Sequence, residues 1–261
     1  MVRLAMALVM IPPVLACVHF GYPVFNVFVI VMVTVMAWEW RRLVGDGDFG
    51  VTGAIFAVFL GGAMLAGSSG LYGIAFAVLG ALAVLFAVQG ILGGTARWMV
   101  LGVFYIGLPA LALLWLRGDG DNGRNTLYWL FALVWAADTG AYVAGRLIGG
   151  PKLAPLISPN KTWAGLAGCV LSAALVGVAV AYLAGSDDHL TLAALSAVIG
   201  LVSQGGDLFE SAIKRHFGVK DSSHLIPGHG GILDRVDALL AAILFAALIR
   251  LAFGGNIVQW S

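Results

Sequence analysis

Charged residues are scarce in this chain of 261 residues. Asp, Glu, Lys and Arg together make up 10% of the sequence, against roughly 25% in soluble domains. The formal net charge is only +1, which gives no electrostatic basis for binding nucleic acid. The sequence therefore fits neither an ordinary soluble enzyme nor a nucleic-acid-binding protein.

Cysteine is also rare, and histidine lacks the spacing of a zinc site. Cys17 and Cys169 both lie in apolar stretches, so we expect two small core residues rather than a disulfide or a metal pair. His216, His224 and His229 form no His-Glu-x-x-His motif and have no cysteine nearby. Zinc is therefore not expected.

Long hydrophobic runs dominate the sequence, in which 61% of residues are hydrophobic. A membrane-spanning helix needs about 20 apolar residues, and continuous apolar runs cannot be barrel strands, which alternate. We predict an all-α, polytopic integral membrane protein with a polar cavity facing the cytoplasm. The nine predicted spans lie near 3–20, 22–40, 51–67, 70–92, 97–116, 126–148, 163–185, 188–206 and 234–254.

The first run has some features of a signal peptide, because Val14-Leu15-Ala16-Cys17 resembles a lipoprotein cleavage site. Pro12 and Pro13 interrupt the run and hydrophobic sequence resumes at once, which favours a retained helix. We expect one membrane domain over 1–261. Residues 1–125 would supply mainly N-terminal helices, and 126–261 would be a catalytic half that carries two polar motifs.

Basic residues are distributed unevenly between the two sides of the predicted membrane domain. With nine spans, ten of the 14 Lys and Arg residues fall on one side, which predicts that this side is cytoplasmic. Both long polar loops, 146–162 and 207–235, lie there. We therefore expect a bacterial-type cytoplasmic (inner) membrane protein whose active site faces the cytoplasm. The ten residues are Arg41, Arg42, Arg97, Arg146, Lys152, Lys161, Lys214, Arg215, Lys220 and Arg235.

Residues 207–237 hold nine of the 27 formal charges. A membrane protein keeps such charge together only where water, ions or a charged ligand can solvate it. One helical face at i, i+4, i+7 and i+8 would carry a carboxylate, a hydroxyl and two cations, which predicts a ligand-facing surface. These residues are Asp207, Ser211, Lys214 and Arg215.

Asp234 and Asp237 lie three residues apart at the start of the last apolar run. Compensation of the helix dipole, with capping, would by itself explain such a pair. Together with Asp207 they favour a divalent cation site, since Mg²⁺ takes a few carboxylates plus phosphate oxygens of the substrate.

A glycine-rich turn, Pro227-Gly228-His229-Gly230-Gly231, lies between these cations and carboxylates. Glycine lets the backbone approach a ligand without interference from a Cβ atom, and exposed amide groups can form a nest for an anion. Glycine turns are common, so the turn alone is weak evidence. Its position between cationic and carboxylate residues is what favours phosphate binding.

A second polar segment runs from Asp138 to Trp163. Asp138 lies within an otherwise apolar run, so it needs a polar partner or an aqueous cavity. Ser158, Lys161 and Thr162 form a polar cluster just before a span. A helix cap at Ser158 and a topology signal at Lys161 are the alternatives to ligand binding.

These motifs resemble the phosphatidate cytidylyltransferases (CDP-diacylglycerol synthases). The resemblance lies in Ser211-x(2)-Lys214-Arg215-x(4)-Lys220-Asp221-x(5)-Pro227-Gly228-His229-Gly230-Gly231-x(2)-Asp234-Arg235-x-Asp237. Ser-Pro-x-Lys-Thr-Trp at 158–163 resembles a second stretch of the same family, and Glu39 in Ala-Trp-Glu-Trp is weakly similar. Ala164 departs from the polar or acidic residue that family members often carry there.

The resemblance implies a reaction of CTP with phosphatidic acid that yields CDP-diacylglycerol and pyrophosphate. Mg²⁺ would be the cofactor, with Asp207, Asp234 and Asp237 as its ligands, and a second cation such as K⁺ is left open. The remaining catalytic residues would hold phosphate oxygens: Lys214, Arg215, Lys220 and Arg235. The substrate-binding residues would be Asp138, Ser158, Lys161, Thr162, Ser211, Asp221, His229, Gly230 and Gly231.

Partners implied by the resemblance are CTP, phosphatidic acid and membrane lipids, without nucleic acid, and a homodimer is left open. A CTP-dependent lipid-alcohol kinase is the alternative among enzymes, because it also needs sites for phosphate and Mg²⁺. A membrane transporter is the alternative outside enzymes. Transporters place carboxylates near the bilayer midplane on broken helices within inverted repeats, and no repeat is evident here.

Overall fold

A computed structural model describes residues 2–91, 95–226, 228 and 230–254, with side chains from residue 11 onward except at 91. Nine helices and one two-stranded sheet form within these residues. The helices are α1 (Val2–Phe20), α2 (Val24–Val44), α3 (Gly50–Ser68), α4 (Tyr72–Ile91), α5 (Ala96–Arg117), α6 (Gly120–Leu147), α7 (Trp163–Leu183), α8 (His189–His216) and α9 (Leu233–Phe253). The strands are β1 (Lys152–Ala154) and β2 (Ser158–Thr162).

Helices α2 to α9 are long and apolar enough to cross a membrane, as an integral membrane protein requires. The described side chains of α1 give a shorter apolar stretch, Ile11–Phe20. The all-α, polytopic prediction is therefore confirmed. Helix α8 continues to His216, whereas the predicted span ends at 206, so the charged residues after 206 extend a membrane helix.

The strands β1 and β2 form an antiparallel hairpin that the sequence did not predict. Lys152 lies opposite Thr162, and Ala154 lies opposite Ser158. Gly149 and Gly150 precede the hairpin with φ values of 69° and 93°, which residues with a Cβ rarely adopt. The polar cluster of 158–162 thus lies on a strand.

The chain divides into two compact units. The first unit comprises Met1–Gly118 and Phe217–Val236, and the second comprises Asp119–His216 and Asp237–Ser261. The predicted division near 125 is close to the first boundary. The segment 217–236, however, groups with the N-terminal helices rather than with the expected catalytic half.

The first unit packs helices α2 to α5 around large buried side chains. Trp40 of α2 is fully buried, and its indole N–H donates a hydrogen bond to the carbonyl of Trp98 at 2.9 Å. A Cβ atom added to Gly102 of α5 would lie 2.2 Å from that indole nitrogen. Glycine at 102 therefore makes room for Trp40, which fixes α2 against α5.

The second unit packs α7 against α6 and α8 through small residues. A Cβ atom at Gly168 of α7 would lie 2.5 Å from the carbonyl oxygen of Gly140 in α6. One at Gly177 of α7 would lie 2.5 Å from the carbonyl oxygen of Leu192 in α8. Such close backbone approach is typical of membrane helices, and it holds the polar residues of α6 and α8 in fixed positions.

Candidate active site

One polar network in the second unit joins the hairpin to two helices. The Lys161 ammonium lies 2.7 Å from a carboxylate oxygen of Asp207 and donates to the amide oxygen of Gln204 at 2.9 Å. The Gln204 amide donates to Asp138 at 3.1 Å, and the Ser211 hydroxyl donates to Asp207 at 3.3 Å. We call these five residues the lysine–aspartate cluster. It unites four predicted site residues with one that the sequence did not single out.

The members of this cluster lie on one strand and two helices. Lys161 lies on β2, Asp138 lies on α6, and Gln204, Asp207 and Ser211 lie on α8. Asp207 and Ser211 share a face because residues four apart on a helix are neighbours. The side chains of Lys161 and Asp207 are 17% and 31% exposed, so a ligand can reach the ion pair.

Asp138 confirms that an intramembrane carboxylate needs a polar partner, and that partner is Gln204. Gln204 is itself buried, and both ends of its amide are used. An uncharged amide within an apolar helix gives little sequence signal. The only available signal was a glutamine among the small and apolar residues 199–206.

Lys214 is buried, although the helical spacing placed it on a ligand-facing surface. Its ammonium is buried and lies 3.3 Å from the Glu210 carboxylate, one turn earlier on α8. Glu210 therefore pairs with Lys214 in the interior, and a contact of Lys214 with a ligand stays a prediction. Arg215 is exposed, and its guanidinium donates to the carbonyl of Ile157 at 3.3 Å, which links the end of α8 to the hairpin.

The second unit also contains Asp237, buried near the start of α9. It lies within electrostatic range of Asp207 and Lys214. Among the described residues, no three His, Cys, Asp or Glu side chains form a group that could hold a metal. Mg²⁺ commonly uses only one or two carboxylates together with substrate phosphates, and its binding by Asp207 and Asp237 stays a prediction.

A different arrangement occupies the first unit. One oxygen of the buried Asp234 carboxylate accepts hydrogen bonds from the Ser222 amide at 2.9 Å, the Ser222 hydroxyl at 2.9 Å and the Gly231 amide at 2.7 Å. Asp234 lies in the first turn of α9. These donors precede α9, so the hydrogen bonds hold the loop before the helix rather than cap α9. The proposed sharing of one cation by Asp207 and Asp234 stays a prediction, since they belong to different units.

Glu39 of α2 holds the same turn from another direction. Its fully buried carboxylate accepts hydrogen bonds from the Ser223 hydroxyl at 2.6 Å and from the amides of Ile232 and Leu233, both at 2.8 Å. We call the segment 221–234 together with Glu39 the carboxylate-held turn. Sequence reasoning gave Glu39 only a weak family similarity and no role.

Gly231 corrects the prediction that its amide is open to a ligand. The residue is buried, and its N–H donates to Asp234. A Cβ atom there would lie 2.1 Å from the Ser222 hydroxyl oxygen and 2.4 Å from a Glu39 carboxylate oxygen. Glycine is therefore needed so that the backbone can approach the protein's own side chains. Gly230 adopts a φ of 79°, and His229 lies outside the described residues.

Of the other predicted site residues, some are exposed or half-buried and one is buried with a structural role. Lys220 and Arg235 are exposed, and Asp221 and Ser158 are half-buried. Thr162 is buried, and its hydroxyl accepts a hydrogen bond from the Gly165 amide at 3.0 Å, which caps α7. The cap considered at Ser158 is therefore found at Thr162 instead.

Comparison with known proteins gives the family. The model described as the Cytidylyltransferase family matches residues 1–253. This chain belongs to the cytidylyltransferase family. A protein of Brucella suis named phosphatidate cytidylyltransferase is 42% identical over 230 residues, which cover 87% of this chain and 83% of the relative. One of the same name from Pseudomonas aeruginosa is 38% identical over 242 residues, covering 88% and 89%. The resemblance predicted from the sequence is confirmed.

Proposed function

We propose that this protein is a phosphatidate cytidylyltransferase that transfers CMP from CTP to phosphatidic acid in phospholipid biosynthesis. Family membership and the printed names of its relatives support the reaction class. The observation that carries the proposal is the partly exposed Lys161–Asp207 ion pair within a membrane protein. A cation and a carboxylate at one reachable point suit a phosphate substrate and its counter-ion.

The reaction requires no nucleophile from the protein. A phosphatidate oxygen attacks the α-phosphorus of CTP, a new P–O bond forms, and the bond to the β-phosphate breaks so that pyrophosphate leaves. Both reactants are anionic, so catalysis depends mainly on positioning and on stabilising charge. Lys161 is the central residue here, because its ammonium can exchange Asp207 for a phosphate oxygen.

The neighbours of Lys161 prepare it for this exchange. The amide oxygen of Gln204 accepts a hydrogen bond from the Lys161 ammonium. This contact directs the Lys161 side chain and leaves the other N–H groups of the ammonium for Asp207 or a ligand. Asp138 in turn orients the Gln204 amide. Lys220 and Arg235 are exposed cations that we propose to contact phosphate oxygens from their own unit.

Mg²⁺ would be held by Asp207 and Asp237, whose carboxyl groups lie within electrostatic range of each other. When bound, the ion would neutralise charge on the triphosphate. A contribution from Asp234, a second cation such as K⁺ and a homodimer all stay predictions. We place the protein in the bacterial inner membrane with the site facing the cytoplasm, supported by its bacterial relatives and by the distribution of basic residues.

The test is an assay of the purified protein in detergent with CTP, phosphatidic acid and Mg²⁺. We expect CDP-diacylglycerol and pyrophosphate in equal amounts, and loss of both when EDTA removes the metal. A parallel reaction replaces phosphatidic acid with a polyprenol. Phosphorylated polyprenol without CDP-lipid would favour the lipid-alcohol kinase, and the absence of any CTP-dependent product would refute the proposal.

A further inference from the structure

We propose that Glu39 is a positioning residue for catalysis, which sets the start of α9 without touching the substrate. This inference rests on the proposed function. Glu39 lies on α2, yet each of its carboxylate oxygens accepts a backbone amide at the entry to α9, from Ile232 and from Leu233. The contact joins residues 193 and 194 positions apart, so it is tertiary and not a local cap.

The contact satisfies backbone groups that α9 cannot satisfy itself. The first amides of any helix lack intrahelical partners, and they carry partial positive charge that favours a carboxylate. A helix start is usually capped by a residue of its own chain segment. Here the acceptor comes from α2, so the residues that begin α9 are held by α2.

The Glu39 carboxylate also fixes the loop that leads to α9. The Ser223 hydroxyl donates to the oxygen that accepts the Ile232 amide. Next to it, Asp234 binds the Ser222 and Gly231 amides. Two buried carboxylates thus take six hydrogen bonds from one loop, and these hold its two described ends, 222–223 and 231–233.

The positions of the proposed phosphate-contacting residues in this unit depend on that loop. Lys220 and Asp221 lie directly before Ser222, and Arg235 follows Asp234. Lys220 and Arg235 are the proposed phosphate contacts, so small shifts of the loop would misplace them. Catalysis is sensitive to such shifts, since a displacement of 1 Å can cost about 100-fold in rate.

The critical variant is Glu39→Gln, which keeps the shape of the side chain and loses one acceptor. A glutamine oxygen can take the Ser223 and Ile232 donors, but its NH₂ group must then face the Leu233 amide. We expect kcat to fall about 10-fold or more, with KM for CTP changed less than about threefold. The apparent Tm should fall by a few degrees, because one buried amide loses its acceptor. Hydrogen exchange should accelerate at the amides of Ile232 and Leu233.

Asp48→Asn is the matched control, because it removes a carboxylate just after α2 whose side chain is 72% exposed and pairs with Arg41. We expect wild-type kcat and exchange in this variant. Equal kcat in Glu39→Gln and Asp48→Asn would overturn the proposal. So would a loss of kcat in Glu39→Gln that is accompanied by uniform acceleration of exchange across all helices.

Ser223→Ala gives a second, milder test if Glu39→Gln fails to fold. It removes one hydrogen bond to Glu39 and retains both backbone amides, so we expect kcat to fall by about two- to fivefold. Wild-type kcat in Ser223→Ala would then overturn the proposal. Absence of cytidylyl transfer in the wild type would refute the proposed function instead, and hydrogen exchange would still reveal whether Glu39 holds the turn.

Discussion

The lysine–aspartate cluster and the carboxylate-held turn use the same chemical group in opposite ways. In the turn, Asp234 and Glu39 accept hydrogen bonds from backbone amides and serine hydroxyls, and both are buried. In the cluster, Asp207 faces the ammonium of Lys161 and is partly exposed. A carboxylate held by the backbone fixes a conformation, whereas one balanced by a side-chain cation can exchange its partner.

This difference distinguishes carboxylates that stabilise the fold from those that we propose to take part in catalysis. Displacing Asp234 from its amides would leave buried N–H groups unsatisfied, which costs about 1–3 kcal/mol for each group. Separating Lys161 from Asp207 costs less when a phosphate takes the lysine and a metal ion takes the aspartate. We therefore expect mutations in the cluster to affect mainly kcat, mutation of Asp234 to affect mainly stability, and mutation of Glu39 to affect both.

The largest expected effect is that of Lys161→Ala on activity. Loss of the ammonium removes the proposed contact to the anionic substrates, so kcat/KM should fall on the order of 100-fold or more. The apparent Tm should change little, because the ion pair is partly exposed and such pairs stabilise weakly. Pyrophosphate release and scanning fluorimetry measure the two quantities.

Lys152→Ala is the control for Lys161, because it removes an exposed lysine from the other strand of the same hairpin. We expect nearly wild-type kcat/KM in this variant. Similar losses in both variants would mean that the hairpin contributes general positive charge, and the special role of Lys161 would be wrong.

Asp234→Asn should have the next largest effect, this time on stability. The amide keeps one acceptor oxygen but lacks the charge that strengthens three hydrogen bonds, so we expect a loss of about 2 kcal/mol. Asp121→Asn is the control, since Asp121 also lies in the first turn of a membrane helix but its side chain is 84% exposed. Unchanged stability with a 100-fold lower kcat in Asp234→Asn would instead favour a metal ligand.

Charge in an apolar context was enough to predict much of the cluster. A lysine or aspartate beside a membrane span requires a polar partner, and Asp138, Lys161, Asp207 and Ser211 are indeed joined in one network. Most of the membrane helices were predicted for a similar reason, because about 20 apolar residues in succession have few alternatives.

The missed features depend on information that periodicity does not contain. Gln204 carries no charge, so it does not stand out from the residues of its helix. Glu39 carries a charge, but its partners lie about 190 positions away, and no local pattern identifies them. Lys214 follows the spacing of the predicted ligand-facing surface, but that spacing does not show that Lys214 pairs with the buried Glu210 one turn earlier.

Gln204→Leu should lower kcat by about 10-fold, less than Lys161→Ala. Leucine fills a similar volume but removes the acceptor that directs Lys161 and the donor that binds Asp138. Ser203→Ala is the control, because the adjacent buried hydroxyl donates to the carbonyl of Gly200 in its own helix. A wild-type kcat in Gln204→Leu would show that Lys161 needs no amide partner.

The smallest expected effect concerns Thr162, next to Lys161 on the same strand. Its hydroxyl caps α7, so Thr162→Val should cost about 1 kcal/mol of stability, while kcat/KM stays within about threefold of wild type. Thr162→Ser keeps the capping oxygen and should restore the stability. An increase in KM for CTP in Thr162→Val, without loss of stability, would instead support the predicted substrate contact. Lys161 and Thr162 would then both contact the substrate, instead of Lys161 having a catalytic role and Thr162 a structural one.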